Sequence, residues 1–271
     1  LHYPLRRQRQ MCIRDSIRTD PTTIRPGVTL MSQNHLSTLI TTVGYEYSDE
    51  THRLHTGIKW SGWHPVIEAD IAFGGDRVIR KDSAELPDPA DLRGDLIINA
   101  SIYDQLWFAY GKFRQLLMPA LYVSYRNAYT YISEEQNYDR GFAFVTGRFY
   151  FSNTFRVAYR DINPRWGQVA DIRLTAAPFD KDLYGTRKYA RGTLYLPGLF
   201  RNHSLVLRAG YEDQSPFGKM LYNNALSYPR GYNETIVSEK LVSLSADYTL
   251  PLLYPDLAAG SLLYLKRIRG S

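Results

Sequence analysis

Long apolar runs are missing from this sequence. The longest, Leu116 to Val123, is eight residues with Pro119 inside it, whereas a membrane-spanning helix needs about 20. Helical membrane proteins are therefore excluded. Sulfur is scarce: one cysteine and four methionines in 271 residues. The single cysteine, Cys12, excludes a disulfide framework and a cysteine metal site within the chain. Charge of one sign is also scarce once its source is located. The formal net charge is +6, but Arg6, Arg7, Arg9 and Arg14 against Asp15 supply +3 of it within the first 16 residues. What remains is too small to argue for nucleic acid or an anionic surface as partner.

Residues 1–16 stand apart in another way. Their run Arg-Arg-Gln-Arg-Gln-Met-Cys-Ile-Arg-Asp-Ser has no apolar core and so is no signal peptide. It resembles a translated sequencing-adapter scar and is set aside from fold reasoning as a non-native segment. Residues 17–35 read as a lead-in. The chain starts without methionine and stops in mid-pattern, so it reads as a fragment.

Aromatics, by contrast, are abundant: 22 Tyr, 11 Phe and 4 Trp, or 14% of the chain. Tyrosine suits pleated surfaces, and aromatic belts mark membrane interfaces. Period-two alternation is the strongest pattern. Leu54, Thr56, Ile58 and Trp60 oppose Arg53, His55, Gly57 and Lys59, while Leu205, Leu207, Ala209 and Tyr211 oppose Ser204, Arg208 and Glu212. Val242, Leu244, Ala246, Tyr248 and Leu250 oppose Ser243, Ser245, Asp247 and Thr249. From Ala143 to Arg160 the phase never flips, so Ser152-Asn153 falls within one long strand rather than a hairpin turn. Strands in soluble domains usually run about 3–10 residues, which makes so long a strand a barrel feature.

The pattern predicts eleven strands, near 36–48, 52–61, 65–74, 95–109, 114–128, 141–161, 167–177, 187–197, 202–212, 238–250 and 260–270. Connections 75–94, 129–140, 178–186 and 213–237 are long and polar, with 49–51 the short member of that set. Those on alternate ends (62–64, 110–113, 162–166, 198–201 and 251–259) are mostly short. Outer-membrane barrels sort their loops this way. Alternation by itself is shared by soluble sandwiches, whose apolar face points inward, and by membrane barrels, whose apolar face meets lipid. Strand length and loop sorting favour an antiparallel transmembrane β-barrel over residues 36–271.

No enzymatic signature is present: no Gly-x-Ser-x-Gly elbow, phosphate loop or His-Glu-x-x-His. No catalytic residue, cofactor or metal is expected. His52 and His55 fall on opposite faces of a strand and cannot share an ion. Glu68 and Asp70 share a face and read as part of a charged wall.

One late stretch carries more. Pro229, Arg230, Gly231 and Tyr232 lie in the longest late connection, and the stretch Glu239 to Leu252 that follows carries Asp247-Tyr248-Thr249-Leu250-Pro251 near its end. This combination resembles the outer-membrane assembly and translocation barrels of the bacterial surface antigen superfamily. The turn at Pro164, Arg165, Trp166 and Gly167, and the stretch Tyr195 to His203, strengthen the resemblance. They are most similar to members that join a TolB-like propeller to such a barrel. The resemblance implies a Gram-negative outer-membrane location, contact with the lipid bilayer, unfolded polypeptide as a partner, and a periplasmic turn at 164–167. It also implies that Arg230 folds into the lumen to meet an acidic wall residue, for which Asp247 is available. A family barrel has about 16 strands, so about five would lie outside this chain, as would a further family aspartate after Pro251. A passive porin or solute channel, and a soluble all-β binding module, are the alternative readings.

Overall fold

The computed structural model describes residues 27–48, 51–75, 93–132, 137–158, 161–179, 184–200, 202–215, 222–226 and 238–254, with a few short strand pieces outside these spans. Among the described residues there is no helix, and so none long and apolar enough to cross a membrane.

The strands are β1 (Gly27–Gln33), β2 (Leu39–Ser48), β3 (Thr51–Trp60), β4 (Val66–Gly74), β5 (Leu96–Tyr103), β6 (Leu106–Tyr110), β7 (Phe113–Ile132), β8 (Asn137–Phe155), β9 (Gly167–Ala176), β10 (Thr186–Pro197), β11 (Ser204–Asp213), β12 (Lys240–Leu253) and β13 (Ile268–Gly270). Twelve of them form one antiparallel sheet in the order β1-β2-β3-β4-β5-β7-β8-β9-β10-β11-β12-β13, with β6 paired to the start of β7. Apart from the skipped β6, neighbours in sequence are neighbours in the sheet. No pairing among the described residues joins β1 to β13, so the sheet is not closed.

Four sequence expectations change. The lead-in 17–35 contains β1, whose Val28 and Leu30 alternate with Gly27, Thr29 and Met31 before Ser32 breaks the pattern. Its turn into β2 has no glycine. Instead Asn34 Oδ1 accepts from the Thr38 and Leu39 N–H groups at 2.8 and 3.1 Å, and Ser37 takes a positive φ of 57°. The expected strand 95–109 breaks at Asp104-Gln105 into β5 and β6, which pair with successive halves of β7. The expected long connection 129–140 contracts to 133–136, because β7 and β8 extend into it. The expected strand 260–270 is not continuous: only Ile268–Gly270 joins β12, while Leu263–Leu265 pairs with Leu257–Ala259. The uninterrupted strand through Ser152-Asn153 is present in β8, ending at Phe155.

The chain divides into two compact units, one of Leu1–Asp104, Ala120–Thr146 and Ala176–Leu183, the other of Gln105–Pro119, Gly147–Thr175 and Tyr184–Ser271. In the first, β3 is a strict two-residue alternation of covered and exposed positions. The apolar side chains hold the exposed positions: Leu54 is 56% exposed, beside Ile58 and Trp60. Arg53, His55, Gly57 and Lys59 hold the covered ones. The second unit repeats this. Val242 and Leu244 on β12 are 65% and 80% exposed, while Ser204, Asp171, Thr175, Glu212 and Thr249 are buried. In each unit the apolar face of these strands is the more exposed and the polar face the more covered, with Asp70 and Arg191 as exposed polar-face positions.

Candidate functional site

Chemistry in the second unit concentrates on the polar face of β8 to β12. Asp171, on the covered parity of β9, is held by two guanidiniums. Arg148 of β8 donates through Nε and Nη2 at 2.9 Å each, and Arg173, two residues along β9, donates through Nε at 3.1 Å and through Nη2. Arg173 lies over the Tyr189 ring of β10, 4.9 Å from its centroid. Two forks on one carboxylate fix that carboxylate rigidly, since each pair is planar and charge-assisted. On β11, Arg208 binds Asp247 of β12. The register sets Arg208 opposite Ser245 and Asp247 opposite Val206, so this is a diagonal pair on one face.

At the far end of β11, residues 222–226 of the connection to β12 lie over the polar face. Glu212 is fully buried and Gln214 is 1% exposed. The Glu212 carboxylate accepts from the Ala225 N–H at 2.8 and 3.1 Å and from the Leu226 N–H at 3.1 Å. Gln214 brackets Tyr222: its Oε1 accepts from the Tyr222 N–H at 2.7 Å, and its Nε2 donates to the Tyr222 carbonyl at 2.9 Å. Asn224 and Ser238 close the base of the connection, with Ser238 N–H donating to Asn224 Oδ1 at 2.8 Å. Arg187 of β10 donates to the Asn223 carbonyl at 3.0 Å and lies against the Tyr222 ring. Leu226 fills a hollow that exists because residue 210 is glycine. A Cβ there would stand 2.5 Å from Leu226 Cδ2 and 2.7 Å from Ser243 Oγ. Burial pushes the Tyr222 phenol up to about 12, against the pull of Arg187, so its hydroxyl stays protonated and donates to the Gly185 carbonyl at 2.9 Å.

The loop motif Pro229, Arg230, Gly231 and Tyr232 lies outside the described residues. Its expected partner Asp247 is on the polar face of β12, as the alternation required, and Arg208 engages it. The turn motif is described. Arg165 grips the buried Asp161 with Nε–oxygen distances of 3.2 and 3.3 Å, the Trp166 carbonyl accepts from the Phe155 N–H at 2.8 Å, and Asn163 donates to Ser204 Oγ at 3.1 Å. Pro164 sits within this tight turn and Trp166 points out, half exposed. Gly167 opens β9 where a Cβ would press on Thr154 and Tyr195. These contacts give the motif a clear architectural role.

In the first unit, Glu68 and Asp70 do stand on a charged wall. Glu68 binds Lys59 at 2.6 Å and accepts from the Tyr103 hydroxyl at 2.7 Å, and Asp70 accepts from Asn99 at 2.7 Å. Buried Asp95 is paired with Arg126 at 2.8 Å. No group of three or more metal-ligating side chains occurs among the described residues.

Sequence reasoning did not single out Glu212, Gln214, Arg187, Asn224 or Tyr222. The available signal was a carboxylate and an amide at the end of a strand that precedes a 26-residue connection, and it carries no partner information. No family model matches this chain, and no curated protein or solved structure matches it either.

Proposed function

We propose that the chain is part of an outer-membrane β-barrel whose polar face lines an interior entered by residues 222–226, and that it acts in polypeptide assembly or translocation. The observation that carries this is the polarity of the sheet: apolar side chains exposed, polar and charged ones covered. A sandwich in water has the reverse arrangement, and a bilayer supplies the apolar surroundings that this face needs. The resemblance of the 229–252 stretch to assembly and translocation barrels adds the task. A connection bolted over the polar face, as Tyr222–Leu226 is, fits an interior that handles chain segments better than one open to bulk flow.

Liposomes carrying the chain test the task. They should accelerate folding of a denatured reporter barrel protein relative to empty liposomes, and Arg230→Ala should lower that acceleration. Passage of small solutes with no effect on the reporter would instead identify a passive channel.

A further inference from the structure

The polar face of the second unit has more cations than carboxylates. Among the described strand positions of that face in β8 to β12 stand five arginines (Arg148, Arg173, Arg187, Arg191 and Arg208) and three carboxylates (Asp171, Glu212 and Asp247). Each carboxylate is engaged. Asp171 serves both Arg148 and Arg173, Asp247 serves Arg208, and Glu212 receives the backbone N–H groups of Ala225 and Leu226. Arg187 donates to neutral oxygens of Thr175 and Asn223, and the Glu212 carboxylate is near enough to act on its charge. Arg191 is exposed and has no hydrogen bond or ion pair among the described residues.

The placement of Arg191 follows from the strands around it. On β10 it stands opposite Gly210 of β11, on the face where Arg187 meets Thr175 and Arg173 lies over Tyr189. Arg191 thus shares the polar face with the Asp171 clasp. From β8 to β11 the arginine row crosses four strands, about 14 Å at strand spacing. That length exceeds a single phosphate and suits an extended segment, whose same-side residues repeat about every 7 Å.

We infer that this arginine row binds the carboxylates of an acidic polypeptide segment, with Arg191 as the receiving group. The inference rests on the reading of the chain as one that handles polypeptide. The Asp171 clasp shows the mode: a planar fork takes both oxygens of a carboxylate. The excess positive charge raises the local anion concentration, and that attraction weakens with salt.

Fluorescent decaglutamate, decalysine and tripolyphosphate are titrated into the full chain in detergent micelles. Decaglutamate should bind, decalysine should not, and binding should weaken as salt rises. Because Arg191 is exposed and without a partner, Arg191→Gln should leave the β circular dichroism unchanged. It should weaken decaglutamate about five- to tenfold, the loss of one charge-assisted pair, and Arg191→Glu should weaken it further. Arg53→Gln, on the polar face of the other unit, should change nothing. Unaltered decaglutamate affinity in Arg191→Gln overturns the site, and so does binding of tripolyphosphate without decaglutamate. Decaglutamate binding as expected, with no effect of the chain on reporter folding, upholds the site while overturning the proposed task.

Discussion

Glu212 has no exposure, and among the described residues no cation lies within ion-pair distance of it. Its charge is met by backbone N–H groups of the connection it holds and, at longer range, by Arg187, which offsets the cost of removing a carboxylate from water. Replacing it tests how firmly the connection is held. Glu212→Gln keeps the volume but removes the charge and one acceptor oxygen, and should destabilise the docked segment by about 1–3 kcal/mol. Faster proteolytic cleavage within 214–239, with the strands intact, is the expected readout. Gly210→Val acts on the same segment from beneath. Its side chain would occupy the place of Leu226, an overpacking cost of about 1–3 kcal/mol, and cleavage in the connection should rise again. Gly192→Ala is the control, since nothing lies within 4 Å of the added carbon.

At the scale of elements, alternation in the sequence was enough to place most strands and to assign a face to each of their residues. The unbroken phase through Ser152-Asn153 predicted the continuity of β8 there, although the strand ends at Phe155 rather than at 161. Where pattern was short, legibility failed: β1 has only two apolar positions before the alternation lapses, and its turn is closed by Asn34 rather than by a glycine. The Arg208–Asp247 pair was legible as two residues on polar faces but not as a pair. Its register is set across a connection of 26 residues, and only short turns fix register by themselves. The bolt around Glu212 was illegible for a related reason, since its partners Ala225 and Leu226 lie 13 and 14 residues on, in a stretch with no period.

Element-scale predictions follow from face assignment. Leu207→Lys places an amine on the apolar face of β11, costing about 2–4 kcal/mol at a bilayer midplane. Arg208→Leu leaves Asp247 on a polar, partly hydrated face. The lysine variant should therefore insert into liposomes less completely, as read by protection from added protease. At the end of β4, Gly74 has a φ of 114°, and a Cβ there would stand 2.0 Å from the His52 carbonyl oxygen. Gly74→Ala should lower stability by more than about 1 kcal/mol, read as a lower urea midpoint.

For the whole molecule, the central claim is that an antiparallel sheet with its polar face covered has its apolar face against lipid. The first unit makes the case with Leu54, Ile58 and Phe73, and the second with Val242 and Leu244. The two reach the same polarity with different charged walls, Lys59–Glu68–Tyr103 in one and Arg148–Asp171–Arg173 in the other. The most direct test is a spin-label scan of β11 in liposomes, one cysteine at a time from 205 to 211 in a Cys12→Ser background, reading collision with oxygen and with a polar nickel chelate. The account predicts high oxygen access at 205, 207, 209 and 211 and low access at 206, 208 and 210. The opposite phase, or nickel access at the odd positions equal to that of a water-exposed label, would contradict it.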